Sequence, residues 1–223
     1  TDAQGRITRF LEKPSKNKIT TNMINAGTYI LEPDTLNYIP PRVKFSIEHE
    51  LFALIPQRKI PAYRYDYSSY WIDMGTPEKY LRLHKDLLSG KSRRYALASG
   101  KEVLIGRESH IHPTAQIKGP ILIGNNCSIG RKVKLIGPTV IGNSCTILEG
   151  AVIEESVIWH KVQIGQQVNL KSSIVADNCC LNASSIIEDS VLGDNVTVVS
   201  GSKLEPGSKI WPGTKVEVGT TSG

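Results

Sequence analysis

Three short motifs in the first eighty residues carry side chains that could do chemistry. Glu12 and Lys13 stand directly before Pro14, and Asn25 stands two residues before Gly27. A carboxylate accepts hydrogen bonds from two neighbouring hydroxyls, an amide both donates and accepts, and a lysine ammonium is a compact positive charge. Asp73 follows an apolar pair at the end of a predicted strand, where a carboxylate at a loop mouth suits a hard cation.

The elements that must position these residues differ between the two halves of the chain. Residues 1–95 alternate strand-like runs with helical patterns, which indicates an α/β domain. The strand-like runs are Arg6–Lys13, Asn25–Glu32 and Pro61–Tyr67. Ser46 is a predicted N-cap of a helix that runs through Glu50 and Leu54, and Thr76-Pro77 begins a second helix that ends at Gly90. Residues 96–102 are predicted to be a linker.

From residue 103 onward, aliphatic residues recur with a period of six. Twenty successive positions of this phase, from Ile105 to Val216, are Ile, Leu or Val. The step shortens to five after Ile153, Leu170 and Ile187. A period of six matches neither a helix nor a strand alternation, and it predicts a triangular coil of three short strands with about eighteen residues per turn.

The position four residues after each aliphatic is mostly small or β-branched, which allows the corner of such a coil to close. Three of the four cysteines, Cys127, Cys145 and Cys179, occupy it, and no zinc spacing is present. The cysteines are therefore predicted to be buried, reduced thiols. The pattern resembles the hexapeptide-repeat family, and that resemblance implies a left-handed parallel β-helix over residues 103–223, with six to seven coils and shortened coils at the five-residue steps.

Charge and hydropathy exclude some classes of function. The net charge is +6, and the whole excess lies in residues 1–95, which favours anionic partners such as phosphates. The basic residues are scattered without interleaved aromatics, so no nucleic acid partner is expected. No apolar run reaches membrane-spanning length and no signal peptide is visible, so a cytoplasmic protein without membrane contact is predicted.

Four motifs in order carry a resemblance over the N-terminal half. They are Phe10-Leu-Glu-Lys-Pro14, Asn25-Ala-Gly-Thr-Tyr29, Ser46-Ile-Glu48 and Tyr70-Trp-Ile-Asp-Met-Gly-Thr-Pro77. The series resembles the second half of the Rossmann-like catalytic domain of sugar-1-phosphate nucleotidyltransferases, a family in which a left-handed β-helix commonly follows. The branch that uses mannose 1-phosphate and GTP is the most similar, and glucose-1-phosphate enzymes remain open.

The resemblance implies substrates, a cofactor and site residues. The family joins a sugar 1-phosphate to a nucleoside triphosphate with Mg²⁺ and releases pyrophosphate. Glu12 and Asn25 would bind sugar hydroxyls, Lys13 would neutralise the sugar phosphate as the catalytic cation, and Gly27 would let the backbone approach the sugar. Asp73 would hold the metal, and Glu48 carries lower weight.

The glycine-rich nucleotide loop of the family, of the form GGxGTRL, does not occur in this sequence. Backbone amides of such a loop cradle the triphosphate. The family's second metal-binding aspartate, upstream of the Glu-Lys-Pro motif, is also absent. The chain is therefore expected to be a C-terminal piece that is inactive alone.

Two other functions compete with this interpretation. A hexapeptide-repeat acyltransferase would use acyl-coenzyme A and a histidine base, for which His160 is the candidate, although a corner histidine without catalytic role is the simpler interpretation. The β-helix is also predicted to form a homo-oligomer, so the domain could instead be an oligomerisation or regulatory module.

Overall fold

The computed structural model describes residues 1–11, 15, 17, 19, 21, 23–57, 60–65, 70–92 and 102–217. The chain divides into two compact units, Thr1–Ser68 and Ser69–Gly223. The second predicted helix therefore shares a unit with the hexapeptide repeats. The predicted domain limits, 1–95, 96–102 and 103–223, stay predictions.

The first unit has a small core and short helical turns. A 3₁₀ turn spans Pro33–Tyr38, a π turn spans Ile47–Leu51, and a 3₁₀ turn spans Phe52–Leu54. The hydroxyl of Ser46 accepts a hydrogen bond from the main-chain N–H of His49, which confirms the predicted N-cap. The core residues are Leu51, Phe52, Ile55 and Ile60.

The three predicted strands of this unit were wrong within the described residues. Those residues form a single antiparallel bridge, between Arg6 and Tyr63. A strand needs several consecutive paired residues, and a single bridge lets the chain diverge on both sides. Ile30, in the middle of the second predicted strand, is fully exposed and has no strand neighbour among the described residues.

The second unit begins with the helix α1, Pro77–Leu88. Thr76 is its N-cap and accepts a hydrogen bond from the main-chain N–H of Lys79, at 3.4 Å from N to Oγ1. Pro77 occupies the first turn, where the missing N–H has no helical partner to lose. Gly90 follows the helix with φ +76°, a left-handed conformation that favours glycine. Both predicted helix signals are confirmed.

The strands of the described residues 102–217 are short and regularly spaced. They are β1 (Val103–Ile105), β2 (His110–Ile111), β3 (Gln116–Lys118), β4 (Ile121–Ile123), β5 (Ser128–Ile129), β6 (Lys134–Ile136), β7 (Thr139–Ile141), β8 (Thr146–Ile147), β9 (Val152–Glu154), β10 (Val157–Ile158), β11 (Gln163–Ile164), β12 (Asn169–Lys171), β13 (Ile174–Val175), β14 (Cys180–Leu181), β15 (Ile186–Glu188), β16 (Val191–Leu192), β17 (Thr197–Val198), β18 (Lys209–Ile210) and β19 (Lys215–Val216).

Each strand up to β14 pairs in parallel with strands three places away in sequence, and in the last coil β16 pairs with β18 and β17 with β19, so three sheets form the sides of a prism. The first sheet has the order β1-β4-β7-β10-β13-β16-β18, the second β2-β5-β8-β11-β14-β17-β19, and the third β3-β6-β9-β12-β15. This is the predicted parallel β-solenoid of about six turns.

The aliphatic residues of the six-residue phase fill the prism. Ile141, Ile153 and Leu170 are completely buried, and so are most of their equivalents. Burial of each such side chain stabilises the fold by about 2 kcal/mol, and stacked coils join these side chains into one continuous core. Cys127, Cys145 and Cys179 are buried free thiols, as predicted, whereas Cys180 is a free thiol that is only partly buried. Burial raises the pKa of the Cys179 thiol to about 11.

The five-residue steps coincide with coils that are one residue shorter. Ile141 pairs with Ile158, and Ile158 with Val175, at a spacing of seventeen residues, whereas Ile123 pairs with Ile141 at eighteen. In each short coil a buried serine lies at the shortened corner. Ser156 donates to the carbonyl of Glu154 and accepts from the main-chain N–H of Ser173. The shortened corners therefore keep the aliphatic residues inside.

The outward column of the first sheet is apolar where α1 lies on it. Strand residues alternate between the two sides of a sheet, so Val157 and Ile174 point away from the core that holds Ile158 and Val175. Both outward residues are nevertheless buried, and α1 contacts β7 of the same sheet. The contact with β7 places α1 against this sheet of the solenoid. In the described part of the chain, no helix is long and apolar enough to cross a membrane.

Candidate functional site

A chain of hydrogen bonds connects two of the sequence motifs in the first unit. The amide nitrogen of Asn25 donates to the hydroxyl of Tyr29 at 2.6 Å, and that hydroxyl donates to Oε1 of Glu48 at 3.1 Å. The amide oxygen of Asn25 accepts from the main-chain N–H of Gly27 at 2.9 Å. The structure therefore brings Asn25, Gly27 and Glu48 together through Tyr29.

Aromatic packing holds Tyr29 of this polar cluster in place. The ring of Tyr29 meets the ring of Phe52 edge-on, with centroids 4.9 Å apart, and Phe10 meets Phe52 at the same distance. Glu48 lies on the turn that Ser46 caps, so its carboxylate is held near Tyr29. Asn25 is exposed and Glu48 is half-buried. An amide, a phenol and a carboxylate arranged in this way can bind a ligand rich in hydroxyl groups.

Gly27 is required by its backbone conformation. Its φ is +71°, and a Cβ built there would meet nothing within 4 Å. A side chain would be strained at this φ, although there is space for it. The predicted close approach of a sugar to Gly27 stays a prediction.

Asp73 lies in the loop before α1, in the second unit. Its Oδ1 accepts from the main-chain N–H of Gly75 at 3.1 Å, and its Oδ2 is 2.6 Å from Nζ of Lys79. The side chain is 57% exposed, and the hydrogen bond from Lys79 lowers the pKa of Asp73. An exposed, ionised carboxylate can take a hard cation, but Lys79 already occupies one of its oxygens.

The donors present fit Mg²⁺ only in part. Among the described residues, no group of three or more His, Cys, Asp or Glu side chains could hold a metal. Mg²⁺ is usually held by one or two carboxylates, with phosphates and waters completing its octahedron. Asp73 supplies one such ligand, and a substrate phosphate would have to supply others.

Two of the predicted site residues, Glu12 and Lys13, lie outside the described residues. Their predicted roles in binding sugar and phosphate therefore stay predictions. Asn25 and Gly27 belong to the first unit and Asp73 to the second.

A buried carboxylate holds the Asp73 motif to α1. Asp86 is 3% exposed; its Oδ2 accepts from the hydroxyl of Tyr70 at 2.9 Å, and its Oδ1 is 2.6 Å from Nζ of Lys91. The bond from Lys91 lowers the pKa of Asp86, although its burial opposes the shift. Asp86 was not predicted from the sequence. Its one signal was a carboxylate among the apolar residues of the last helical turn.

An open surface depression of about 290 Å³ lies beside the Asp73 motif. It lies where the loop before α1 meets the first sheet. Its lining residues are Met74, Gly75, Thr76, Pro77, Tyr80, Trp159 and Ile174. The solenoid thus contributes Trp159 to a depression that Met74, Gly75 and Thr76 also line.

His160 lies at a solenoid corner. Its Nδ1 is 2.9 Å from the main-chain nitrogen of Asn143 and accepts that N–H, which places the ring proton of the neutral form on Nε2. Its own main-chain N–H donates to Oδ1 of Asp177 at 2.6 Å. With Nδ1 engaged, the ring has no free lone pair for a general base, so the corner interpretation of His160 agrees with the structure.

Family comparisons match both halves of the chain. Residues 1–90 match the family described as "Nucleotidyl transferase", and residues 134–221 match "GMPPB C-terminal domain". A UTP–glucose-1-phosphate uridylyltransferase of Synechocystis is 31% identical over 82% of this chain and 48% of its own length. A mannose-1-phosphate guanyltransferase of Pichia angusta is 36% identical over 92% of this chain and 54% of its own length.

The chain therefore spans about half the length of these relatives. Among solved structures, an N-acyltransferase from Bacillus cereus in complex with dTDP and coenzyme A resembles 54% of this chain and 81% of its own, with a TM-score of 0.50 and 19% identity. At that identity the likeness shows the shared fold alone.

Proposed function

Because the chain belongs to the sugar-1-phosphate nucleotidyltransferase family, we propose that the protein it represents joins a sugar 1-phosphate to a nucleoside triphosphate. The relatives at 36–39% identity favour mannose 1-phosphate and GTP as the substrates. The observation that carries the proposal is the Asn25–Tyr29–Glu48 chain of hydrogen bonds, which gathers residues of two family motifs into one polar cluster.

The proposed reaction is a phosphoryl substitution. A phosphate oxygen of the sugar 1-phosphate attacks the α-phosphorus of the triphosphate in line, the bond from the α-phosphorus to the bridging oxygen breaks, and pyrophosphate leaves. Charge neutralisation and positioning supply most of the catalysis in such transfers. A magnesium ion would neutralise charge on the triphosphate.

Each residue of this chain has a role in the proposal. Asn25 and Glu12 bind sugar hydroxyls, and the turn at Gly27 keeps the Asn25 amide in place through the bond to its oxygen. Lys13 binds the sugar phosphate as a point charge. Asp73 would hold the metal through its carboxylate, one oxygen of which also accepts a hydrogen bond from Lys79.

The protein is also proposed to be a homo-oligomer that associates through the β-solenoid. Sedimentation velocity at several concentrations tests this, and a monomer at the highest concentration contradicts it.

The test of the transfer reaction uses the full-length protein with mannose 1-phosphate, GTP and Mg²⁺. ³¹P NMR should show a nucleoside diphosphate sugar and pyrophosphate in equal amounts. The assay is repeated with each of the four combinations of mannose 1-phosphate or glucose 1-phosphate with GTP or UTP, and the fastest combination identifies the preferred substrates. The 223-residue chain is a matched control that should give no product, because it has no glycine-rich loop. Absence of product from the full-length protein with every pairing would refute the function.

A further inference from the structure

The hydrogen bonds that run from Asn25 through Tyr29 to Glu48 have a direction, and Glu48 sets it. A carboxylate can only accept, so the single proton of the Tyr29 hydroxyl goes to Oε1 of Glu48, at 3.1 Å. The phenol oxygen can then only accept, and the group that donates to it, at 2.6 Å, is the side-chain NH₂ of Asn25. The carboxylate therefore determines, through Tyr29, which end of the Asn25 amide faces the phenol.

The other end of the Asn25 amide is fixed as well. Its Oδ1 accepts from the main-chain N–H of Gly27 at 2.9 Å, which is the short-range bond that asparagine forms in a turn. The positive φ of Gly27, +71°, belongs to this turn. A flip of the amide would place its NH₂ against the N–H of Gly27 and its oxygen against a phenol oxygen without a free proton. The two bonds together therefore select one orientation of the amide.

Tyr29 connects the exposed Asn25 to the core of the first unit. Its ring meets the ring of Phe52 edge-on, with centroids 4.9 Å apart, and Phe52 is 8% exposed. Its hydroxyl is held by Glu48, which lies on the turn that Ser46 caps. The phenol oxygen is thus fixed by packing on one side and by a hydrogen bond on the other, so it offers Asn25 a rigid acceptor.

The oriented amide has one donor and one acceptor left. An amide has two N–H donors and an oxygen with two lone pairs, and Tyr29 and Gly27 each use one. Among the residues that the structure describes, no other group bonds to the Asn25 amide, and Asn25 is exposed. A hydroxyl both donates and accepts, so the remaining N–H and lone pair match hydroxyl groups of a sugar in one fixed arrangement.

We propose that Tyr29 is a positioning residue for the sugar 1-phosphate, because its hydroxyl holds the Asn25 amide in the orientation that receives the sugar hydroxyls. Glu48 takes part by fixing the direction of the bond between Tyr29 and Asn25. The inference rests on the proposed function, in which Asn25 binds the sugar. Tyr29 acts through Asn25 and not on the sugar itself.

The experiment uses the full-length protein and the fastest of the four substrate combinations. The variants are Tyr29→Phe, Asn25→Ala and the double variant that carries both changes. Tyr63→Phe is the matched control, since it removes the hydroxyl of a tyrosine of the same unit that is 64% exposed. The KM for the sugar 1-phosphate, the KM for the nucleotide and the kcat are measured for each protein.

Tyr29→Phe is expected to raise the KM for the sugar 1-phosphate by roughly tenfold, because it keeps the ring on Phe52 and removes the acceptor of the Asn25 amide. The KM for the nucleotide should stay within about twofold of the wild type, and Tyr63→Phe should match the wild type in every value. In the Asn25→Ala background, Tyr29→Phe should have no further effect on the KM for the sugar 1-phosphate, since the side chain that it positions is gone.

Two substitutions of Glu48 test the other end of the chain, and they keep the inference testable should Tyr29→Phe not fold. Glu48→Gln keeps an oxygen that can accept the Tyr29 proton, so the KM for the sugar 1-phosphate should stay within about twofold of the wild type. Glu48→Leu removes the acceptor and should raise that KM by roughly threefold or more. An equal KM in the two variants would contradict the part of Glu48.

An unchanged KM for the sugar 1-phosphate in Tyr29→Phe would overturn the inference. Equal increases in the KM for both substrates would overturn it as well, because they indicate a general loosening of the site. Additive effects of Tyr29→Phe and Asn25→Ala would show that Tyr29 does not act through Asn25. Any of these results, obtained with an active wild type, leaves the proposed function intact. A wild type without product in any substrate combination marks the failure of the proposed function and overturns both.

Discussion

The main-chain N–H of Asn143 donates to Nδ1 of His160, seventeen residues further along the chain, at 2.9 Å. Asn143 in turn accepts from the main-chain N–H of Asn125, one coil earlier, through its own Oδ1 at 2.8 Å. Asp177 and Asp194 continue the ladder in the following coils. His160 thus takes the place of an asparagine in a column of corner side chains, each of which accepts an N–H from the coil before.

This ladder predicts how His160 can be replaced. His160→Asn keeps an acceptor and should leave the free energy of unfolding within about 0.5 kcal/mol of the wild type. His160→Leu leaves the N–H of Asn143 without its acceptor and should destabilise the fold by about 1–2 kcal/mol. Chemical denaturation of the 223-residue chain measures both. Equal stability of the Asn and Leu variants would contradict the ladder.

Asp86 should contribute substantially to the stability of the second unit. Asp86→Asn removes the charge that Lys91 and Tyr70 bind and should destabilise the second unit by about 2 kcal/mol. Because the pKa of Asp86 is lowered in the folded state, its stabilising effect is present above the unfolded pKa and is lost as the pH falls.

Thermal unfolding at pH 7 and in acid separates these contributions. Tyr70→Phe is the matched control; it removes one hydrogen bond but keeps the ring, so it should cost about 1 kcal/mol. A larger loss of stability in Tyr70→Phe than in Asp86→Asn would contradict the role of the carboxylate.

His84 should also make the stability of the fold depend on pH, but here burial of a base, and not an ion pair, shifts the pKa. Its ring meets Tyr80 edge-on at 4.6 Å, its Nε2 is buried without a hydrogen-bond partner in the described residues, and burial lowers its pKa. The unfolded state therefore binds the proton more readily, so stability is lost as the pH falls below about 6.5, the unfolded value.

His84→Phe keeps an aromatic ring and removes the titration. Melting temperatures between pH 7.5 and 5 should fall more steeply for the wild type than for this variant. Parallel slopes for the two proteins would rule out the titration of His84 as a source of the pH dependence.

The sequence predicted the solenoid well because the repeat itself is the physical cause of the fold. An aliphatic residue every six positions fills the prism, and each five-residue step coincides with a coil such as that of Ile158, one residue shorter than its predecessor. The helix caps at Ser46 and Thr76 were predictable because capping is local chemistry.

Features that depend on long-range contacts were not predictable in the same way. The prediction of three strands in the first unit was wrong because a local sequence pattern does not reveal whether a strand-like segment has another strand to pair with. Asn25 and Glu48 were both noticed, but their connection through Tyr29 needs the tertiary fold. The outward-facing Val157 and Ile174 are apolar in the sequence, which indicates that this side of the solenoid is covered. That indication is missed when only the inward-facing positions of the repeat are considered.

The central claim is nucleotidyl transfer that uses the Asp73 carboxylate, and Asp73→Asn in the full-length protein tests it most directly. The initial rate of nucleotide-sugar formation with mannose 1-phosphate, GTP and Mg²⁺ is compared with that of the wild type and of Lys79→Gln, which removes the ion pair but keeps the carboxylate. We expect that the wild type forms product, that Asp73→Asn loses about a hundredfold or more in rate, and that Lys79→Gln retains activity. A full rate in Asp73→Asn, or no product from the wild type, would contradict it.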